Sequence, residues 1–129
     1  MYTTVLVIEQ EFLIRCLLMK VLLLAGYCTQ GVANRAEALA LLRAQPADLI
    51  LADGRICDHE AQMLCREIRQ ASPAPILLLV SSNRKSDLQR CLAWGADDCI
   101  AKPFTLTDVR SRVRRLLNRQ CVVKVLEAQ

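Results

Sequence analysis

The sequence lacks a hydrophobic run long enough to cross a membrane. Its most apolar stretch, residues 12–25, is shorter than the roughly 20 residues that a spanning helix needs, and Arg15 and Lys20 interrupt it. The amino terminus also lacks a basic leader followed by a small-residue cleavage site, which is the pattern of a secretory signal. These two absences predict a cytoplasmic protein that has no membrane partner.

Cys-x-x-Cys pairs are missing as well, although the chain has seven cysteines in 129 residues. The number is odd, so a framework of disulfide bonds is not expected. Cys57, Asp58, His59 and Cys65 could supply metal ligands, but their spacing matches no structural zinc pattern. We therefore interpret most of the thiols as small hydrophobic groups inside the fold.

No internal repeat, low-complexity tract or long linker is visible. A hydrophobic content of 53% with 23% charged residues is typical of a globular domain with a core. We predict one domain over residues 1–121, followed by a tail or the start of a linker at 122–129.

The charge of the chain is only mildly positive, at +4, but arginines are concentrated near its end. They could attract phosphate, form a solvated helix face, or pair with acids of a partner subunit. The last two interpretations are favoured over a nucleic-acid groove. The arginines of this last predicted helix stand at positions 110, 112, 114, 115 and 119.

Apolar strand patterns alternate with helical patterns along the whole chain. This alternation predicts an α/β fold with a parallel sheet and helices on both of its faces. Continuous apolar runs at 49–51 and 76–80 predict central strands that are covered on both sides. Strands are predicted at 4–8, 28–32, 49–53, 76–80 and 98–101, and helices at 11–25, 35–45, 60–71, 85–94 and 106–119.

The first predicted helix has two apolar stripes, where one would be enough to pack it on a sheet. We predict that the first stripe faces the core. The second is either an interface or a hydrophobic face covered by neighbouring loops, and the covered face is favoured because exposed apolar patches are uncommon. The first stripe is Leu13, Leu17, Val21 and Leu24, and the second is Ile14, Leu18 and Leu22.

Charged residues stand at the carboxyl ends of three predicted strands. Asp53 ends a buried strand, Glu9 follows the first strand, and Lys102 follows the last. In open α/β sheets the ligand crevice lies beyond the carboxyl ends of the strands. We therefore expect these three side chains to meet at one site.

Five short segments match, in order and at the right strand ends, the pattern of a known family. Together they resemble the receiver domain of two-component response regulators. The resemblance implies a flavodoxin-like, doubly wound, five-stranded parallel sheet of order 2-1-3-4-5 with five helices. The segments are residues 5–11, 48–53, 75–79, 95–98 and 102–104.

The resemblance also implies a chemistry for the site. Asp53 would accept a phosphoryl group from a histidine kinase or a phosphotransfer protein, and Lys102 would contact the phosphoryl oxygens. Mg²⁺ would be held by Glu9 through water, by Asp53 directly, by the residue at position 10 and by the carbonyl of Arg55. Such a domain is not an enzyme beyond catalysing its own phosphorylation and dephosphorylation. The peptide bond before Pro103 is often cis in this family.

Several positions depart from the family pattern. Gln10 stands where an acid is usual, so we predict that Mg²⁺ binding is weak or absent. Val80 replaces the switch Thr or Ser, and the hydroxyl of the following Ser81 could contact the phosphoryl group instead. Cys99 replaces the switch Tyr or Phe. Arg55 could attract a phosphodonor or occupy the metal position with its own charge, and the second role is slightly favoured.

Two functions remain open at this point. The first is a phosphoaccepting receiver that relays a signal to an output domain or a downstream protein through its fourth helix, fifth strand and fifth helix. The second is a degenerate pseudo-receiver that acts as a phosphorylation-independent interaction or dimerisation module. The residues that resemble the dimer salt bridges of winged-helix transcription-factor receivers are Asp97, Asp98, Arg112 and Arg119.

Two other functions are disfavoured by missing elements. No glycine-rich phosphate loop follows the first strand, which argues against a nucleotide or flavin binder. No helix-turn-helix or other reading element is present, so we expect no direct contact of this domain with nucleic acid.

Overall fold

The computed structural model describes residues 2–54, 58–81 and 84–128, without the side chains of residues 58, 59 and 120–128. The predicted metal contact of Arg55 and the position of Cys57 lie outside the described residues. The strands are β1 (Thr4–Ile8), β2 (Cys28–Val32), β3 (Leu49–Asp53), β4 (Ile76–Val80) and β5 (Asp98–Ala101). The helices are α1 (Phe12–Leu24), α2 (Arg35–Ala44), α3 (Asp58–Ala71), α4 (Lys85–Ala93) and α5 (Leu106–Ala128).

The five strands form one parallel sheet in the order β2-β1-β3-β4-β5. The fold class predicted from the sequence is therefore confirmed. Every residue of β3 and β4 is buried, which confirms that the two continuous apolar runs are central strands. The edge strand β2 has no buried residue, in keeping with its weak strand pattern.

The core has two layers, one on each face of the sheet. Side chains from α2, α3 and α4 fill one layer, and side chains from α1 and α5 fill the other. Buried leucines, isoleucines and valines make up most of both layers, and burial of each such side chain contributes roughly 1.5–3 kcal/mol. This two-sided packing fixes the sheet and therefore the position of the residues at its edge.

Local capping signals agree with the helix starts and ends. In α2 the side chain of Asn34 accepts from the N–H of Glu37, and Glu37 accepts in return from the N–H of Ala33. Thr105 caps α5 by accepting from the N–H of Asp108 at 3.0 Å. Gly26 follows α1 with a φ of 100°, a conformation that favours glycine at a helix end.

The predicted orientation of α1 was wrong. Leu18 and Leu22 are buried, whereas Leu13, Leu17 and Leu24 are 79%, 49% and 78% exposed. The second stripe thus packs on the sheet and most of the first faces solvent. Both stripes are apolar, so hydrophobicity does not decide which one faces the core. The angle at which the chain leaves β1 decides it, and the apolar pattern does not encode that angle.

The predicted end of the last helix was also wrong. Instead of stopping at residue 119, α5 continues to Ala128 through the segment predicted as a tail or linker. Residues 120–128 contain neither glycine nor proline, so nothing in them interrupts the backbone hydrogen bonds of the helix. Within the described parts of the chain, no helix is both long and apolar enough to cross a membrane.

Candidate functional site

The three charged residues predicted to meet do lie together at the carboxyl edge of the sheet. In the register of the sheet Ile8 lies opposite Ala52, so Glu9 and Asp53, the next residues on the two strands, are neighbours. Lys102 follows β5 and reaches across β4. Its Nζ donates to Asp53 Oδ1 at 2.8 Å.

The pair of Asp53 and Lys102 is mostly withdrawn from water. The Asp53 side chain is buried and that of Lys102 is about one-fifth exposed, at 22%. A buried carboxylate needs a nearby cation or hydrogen-bond donors, because its charge is poorly solvated. Lys102 supplies that cation through its contact with Asp53 Oδ1.

Glu9 is the second acid of the site and is only 1% exposed. Burial, and then the hydrogen bond and charge of Asp53, raise the pKa of Glu9 to about 7, while Lys102 acts in the opposite direction. The backbone N–H of Glu11 also donates to Glu9 Oε1 at 3.4 Å. Near neutral pH Glu9 is therefore protonated for much of the time.

Gln10 lies at the surface beside these acids. It lines a cavity of about 720 Å³ that reaches Asp53, so a small group can approach the acceptor carboxylate from outside. Its amide can offer one neutral oxygen to a metal ion but no charge. The cavity is lined by Ile8, Gln10, Ala33, Asn34, Arg35, Ala36, Asp53, Glu60, Met63 and Leu64.

The described side chains fit Mg²⁺ poorly. Asp53 is already neutralised by Lys102, Glu9 tends to hold a proton, and Gln10 replaces a carboxylate. Glu11, the exposed neighbour of Gln10, donates its backbone N–H to Glu9 Oε1. In the described ranges no group of three or more His, Cys, Asp or Glu residues could hold a metal ion. Weak Mg²⁺ binding stays a prediction.

Gly54, directly after Asp53, was not singled out from the sequence. Its N–H donates to the carbonyl of Leu79 at 2.6 Å, so β3 passes very close to β4 here. A Cβ at this position would lie 3.1 Å from Leu78 Cγ. A glycine placed immediately after the acid that ends a strand is the signal that would have revealed this close approach.

The two substituted switch positions lie in the core. Val80 ends β4 as a buried residue, and its carbonyl accepts from the N–H of Lys102 at 2.8 Å. Ser81 follows at the surface. Cys99 is buried in β5, where it hydrogen-bonds to Cys91, and burial strongly raises the pKa of its thiol. Val80 cannot supply the hydroxyl group, and Cys99 cannot supply the aromatic ring, that the family usually has at these two positions.

All four residues that resemble dimer salt-bridge residues are paired inside the chain. Asp98 accepts from Arg112 at 3.0 Å and from Arg115 at 2.6 Å. Asp97 accepts from Arg69 at 3.1 Å and from Arg119 at 3.2 Å. Arg69 and Arg115 were not among the predicted interface residues, although Arg115 lies on the same stripe of α5 as Arg112 and Arg119.

Comparisons with known proteins agree with this geometry. The family model "Response regulator receiver domain" matches residues 5–114. Among curated proteins, the transcriptional regulatory protein BaeR of Escherichia coli O6:H1 is 34% identical over 115 residues, which cover 89% of this chain and 48% of BaeR. The probable transcriptional regulator ycf27 of Porphyridium aerugineum is 33% identical over the same shares of the two chains. The chain thus spans about half the length of these relatives.

Solved structures of receivers superpose well on this chain. A two-component response regulator from Clostridium difficile has a TM-score of 0.83 and 25% identity, and the match covers 92% of this chain and 98% of that one. A response regulator from Thermotoga maritima has a TM-score of 0.81 and 26% identity, with coverage of 92% and 99%. The similarity therefore extends over nearly the whole chain.

Proposed function

Because this chain belongs to the family of response regulator receiver domains of two-component systems, we propose that Asp53 accepts a phosphoryl group from a histidine kinase or a phosphotransfer protein. One observation carries the proposal: Lys102 Nζ contacts the buried carboxylate of Asp53 at 2.8 Å. The cavity beside Asp53 gives a phosphodonor access to it.

In the transfer itself, the protein forms only one covalent bond, between Asp53 and phosphorus. A carboxylate oxygen of Asp53 attacks the phosphorus atom, the bond from phosphorus to the donor breaks, and its electron pair leaves with the donor. Lys102 offsets the negative charge that the phosphoryl oxygens bring into the site. With Glu9 protonated, the site carries one negative charge less, which lowers the repulsion of the incoming group.

The sharpest test is phosphorylation by a small donor followed by intact mass spectrometry. We expect acetyl phosphate to add one labile phosphoryl group to the protein and to leave the Asp53→Ala variant unmodified. The Lys102→Ala variant should be modified at least tenfold more slowly. Asp108→Ala, which removes an exposed acid at the start of α5, is the matched control and should react like the parent protein. An adduct that persists in Asp53→Ala would overturn the assignment.

We propose that the phosphorylated domain signals through the face formed by α4, β5 and α5, and that an output domain or a downstream protein reads that face. The support is that the curated relatives are transcriptional regulators about twice the length of this chain. A cytoplasmic location goes with this role. Beryllofluoride, a phosphoryl mimic, should shift backbone amide resonances of α4 and β5 if the face responds to Asp53.

The second candidate function is a phosphorylation-independent interaction or dimerisation module. It is favoured by the buried Val80 and Cys99, which cannot report a phosphoryl group in the usual way. In that case acetyl phosphate would leave the protein unmodified, and beryllofluoride would shift no resonance outside the site.

A further inference from the structure

The turn between β1 and α1 carries two residues of the candidate site. Glu9 is buried beside Asp53, and Gln10 lines the cavity that leads to Asp53. Neither side chain can stay in place unless the backbone of this turn is fixed, because a side chain moves with the backbone that bears it. Groups of a functional site need to be held within about 0.5 Å of their productive positions. The contacts that fix this turn therefore control the geometry of the site.

A capping side chain commonly fixes the start of a helix, but α1 starts without one. Every residue of α1 is described, and its N-cap residue, Glu11, makes no side-chain capping hydrogen bond. The first turn also contains no acid that could interact with the positive end of the helix dipole. By contrast, Asn34 caps α2 and Thr105 caps α5. Contacts of another kind therefore hold the turn before α1.

Arg15 supplies such contacts from the first turn of α1. Its Nη1 donates to the carbonyl oxygen of Glu9 at 2.8 Å and to that of Gln10 at 3.5 Å. The first distance is that of a good hydrogen bond and the second is at the long limit, so the bond to Glu9 dominates. A guanidinium group that is always charged thus holds the backbone of both residues.

Two neighbours keep the Arg15 side chain in this position. Its Cγ and Cδ pass so close to Gly31 of β2 that a Cβ at residue 31 would lie 3.2 Å from both atoms. The ring of Phe12 lies 5.5 Å from the guanidinium carbon, which is a cation–π distance. The absence of a side chain at residue 31 therefore gives the stem of Arg15 its path to the turn.

We propose that Arg15 is a positioning residue of the phosphoacceptor site, which it serves by binding the backbone of Glu9 and Gln10 rather than the phosphoryl group. This role rests on the proposed function of Asp53. Arg15 keeps the acid beside Asp53 and the amide at the cavity before a phosphodonor arrives. A site that is already in its working geometry needs no rearrangement during the transfer, and this lowers the barrier.

Rates of modification by acetyl phosphate, followed by intact mass spectrometry, test this role. Arg15→Met keeps an apolar stem over Gly31 but has no donor, and it should react roughly tenfold more slowly than the parent protein. Arg15→Lys, whose ammonium group can still donate to the carbonyl of Glu9, should react within about threefold of the parent. Lys20→Met removes the other cation of α1 and is the matched control, which should react like the parent.

Equal rates in the parent protein and Arg15→Met would overturn the proposal. So would an equal slowing in Arg15→Met and Arg15→Lys, because the donor would then not be the group that matters. An equal slowing in Lys20→Met would also overturn it, since any cation of α1 would then act in the same way. Circular dichroism verifies that each variant is folded.

A measurement on the turn itself separates failure of this role from failure of the proposed function. NMR order parameters of the Gln10 and Glu11 amides should fall in Arg15→Met from about 0.85, the value of a rigid backbone, to below about 0.6. They should stay high in Arg15→Lys and Lys20→Met. Unchanged order parameters in Arg15→Met would overturn the proposal. If acetyl phosphate modifies none of the proteins, the proposed function fails, and the order parameters alone decide whether Arg15 holds the turn.

Discussion

At the scale of single residues, Glu9 is an acid whose protonation near neutral pH differs between the folded and the unfolded chain. Its pKa rises from 4.5 to about 7 on folding, chiefly because it is buried beside Asp53. The folded protein therefore binds more protons than the unfolded chain between these two values. Stability contributed by the protonated acid is fully present below pH 4.5 and is lost as the pH rises through about 7.

We predict that replacing Glu9 removes this pH dependence. From pH 5 to pH 8 the parent protein should lose up to roughly 3 kcal/mol of unfolding free energy, since each pKa unit corresponds to about 1.4 kcal/mol. Glu9→Gln should lose much less, because its amide does not titrate. Urea denaturation at several pH values measures this, with the exposed neighbour variant Glu11→Gln as control. Parallel losses in Glu9→Gln and the parent would contradict the expectation.

At the scale of elements, strand and helix positions follow closely from the sequence, but the orientation of α1 does not. Runs such as residues 49–52 and 76–80 are apolar on every side, so their burial is encoded directly. In α1 both stripes are apolar, and tertiary geometry alone selects Leu18 and Leu22 for the core. The end of α5 was misplaced because residues 120–128 carry no helix-stopping residue that would locate it.

The reversed orientation of α1 has a direct test in stability. Leu18→Ala should destabilise the protein by roughly 2–5 kcal/mol, since it leaves a cavity in a packed core. Leu13→Ala, which truncates a side chain that is 79% exposed, should change stability by less than about 0.5 kcal/mol. Urea denaturation of the two variants measures both effects. The opposite order would restore the orientation predicted from the sequence.

At the scale of the whole molecule, Asp97 ties distant elements together. Its side chain accepts from Arg69 of α3 at 3.1 Å, from Arg119 of α5 at 3.2 Å and from the N–H of Ile76 at 2.8 Å. The sequence pattern indicated Asp97 and Arg119 as possible residues of a dimer interface and did not predict that they pair within one chain. Whether an ion pair forms within one chain or between two chains depends on how α3 and α5 converge in space. The local sequence pattern does not encode that geometry.

We predict that Asp97 stabilises the single chain. Asp97→Ala should lower the unfolding free energy by roughly 1–3 kcal/mol, because two arginines and a backbone N–H lose their acceptor. The loss should be the same at protein concentrations twentyfold apart, as expected for contacts within one chain. Asp108→Ala, which removes an exposed acid with one arginine partner, should have a smaller effect. A loss that grows with dilution would instead place Asp97 at a dimer interface.

The site as a whole was predictable in part. Asp53, Glu9 and Lys102 could be identified because each stands at, or directly after, the carboxyl end of a predicted strand. A parallel sheet brings these strand ends to one edge. The protonation of Glu9, the close passage at Gly54 and the pairing of Arg69 were not predictable. Each depends on distances between strands or helices that are far apart in the chain.

The register of β1 and β3 has a consequence for how this gene can change in length. Asp53 is level with Leu79 and directly follows the Ile8–Ala52 pair. Deleting or inserting one codon within residues 49–53 would turn the alternating side chains over, moving the acceptor away from Lys102. Codons in the loops between elements can be gained or lost far more freely. We therefore expect natural length variation in this domain to be confined to its loops.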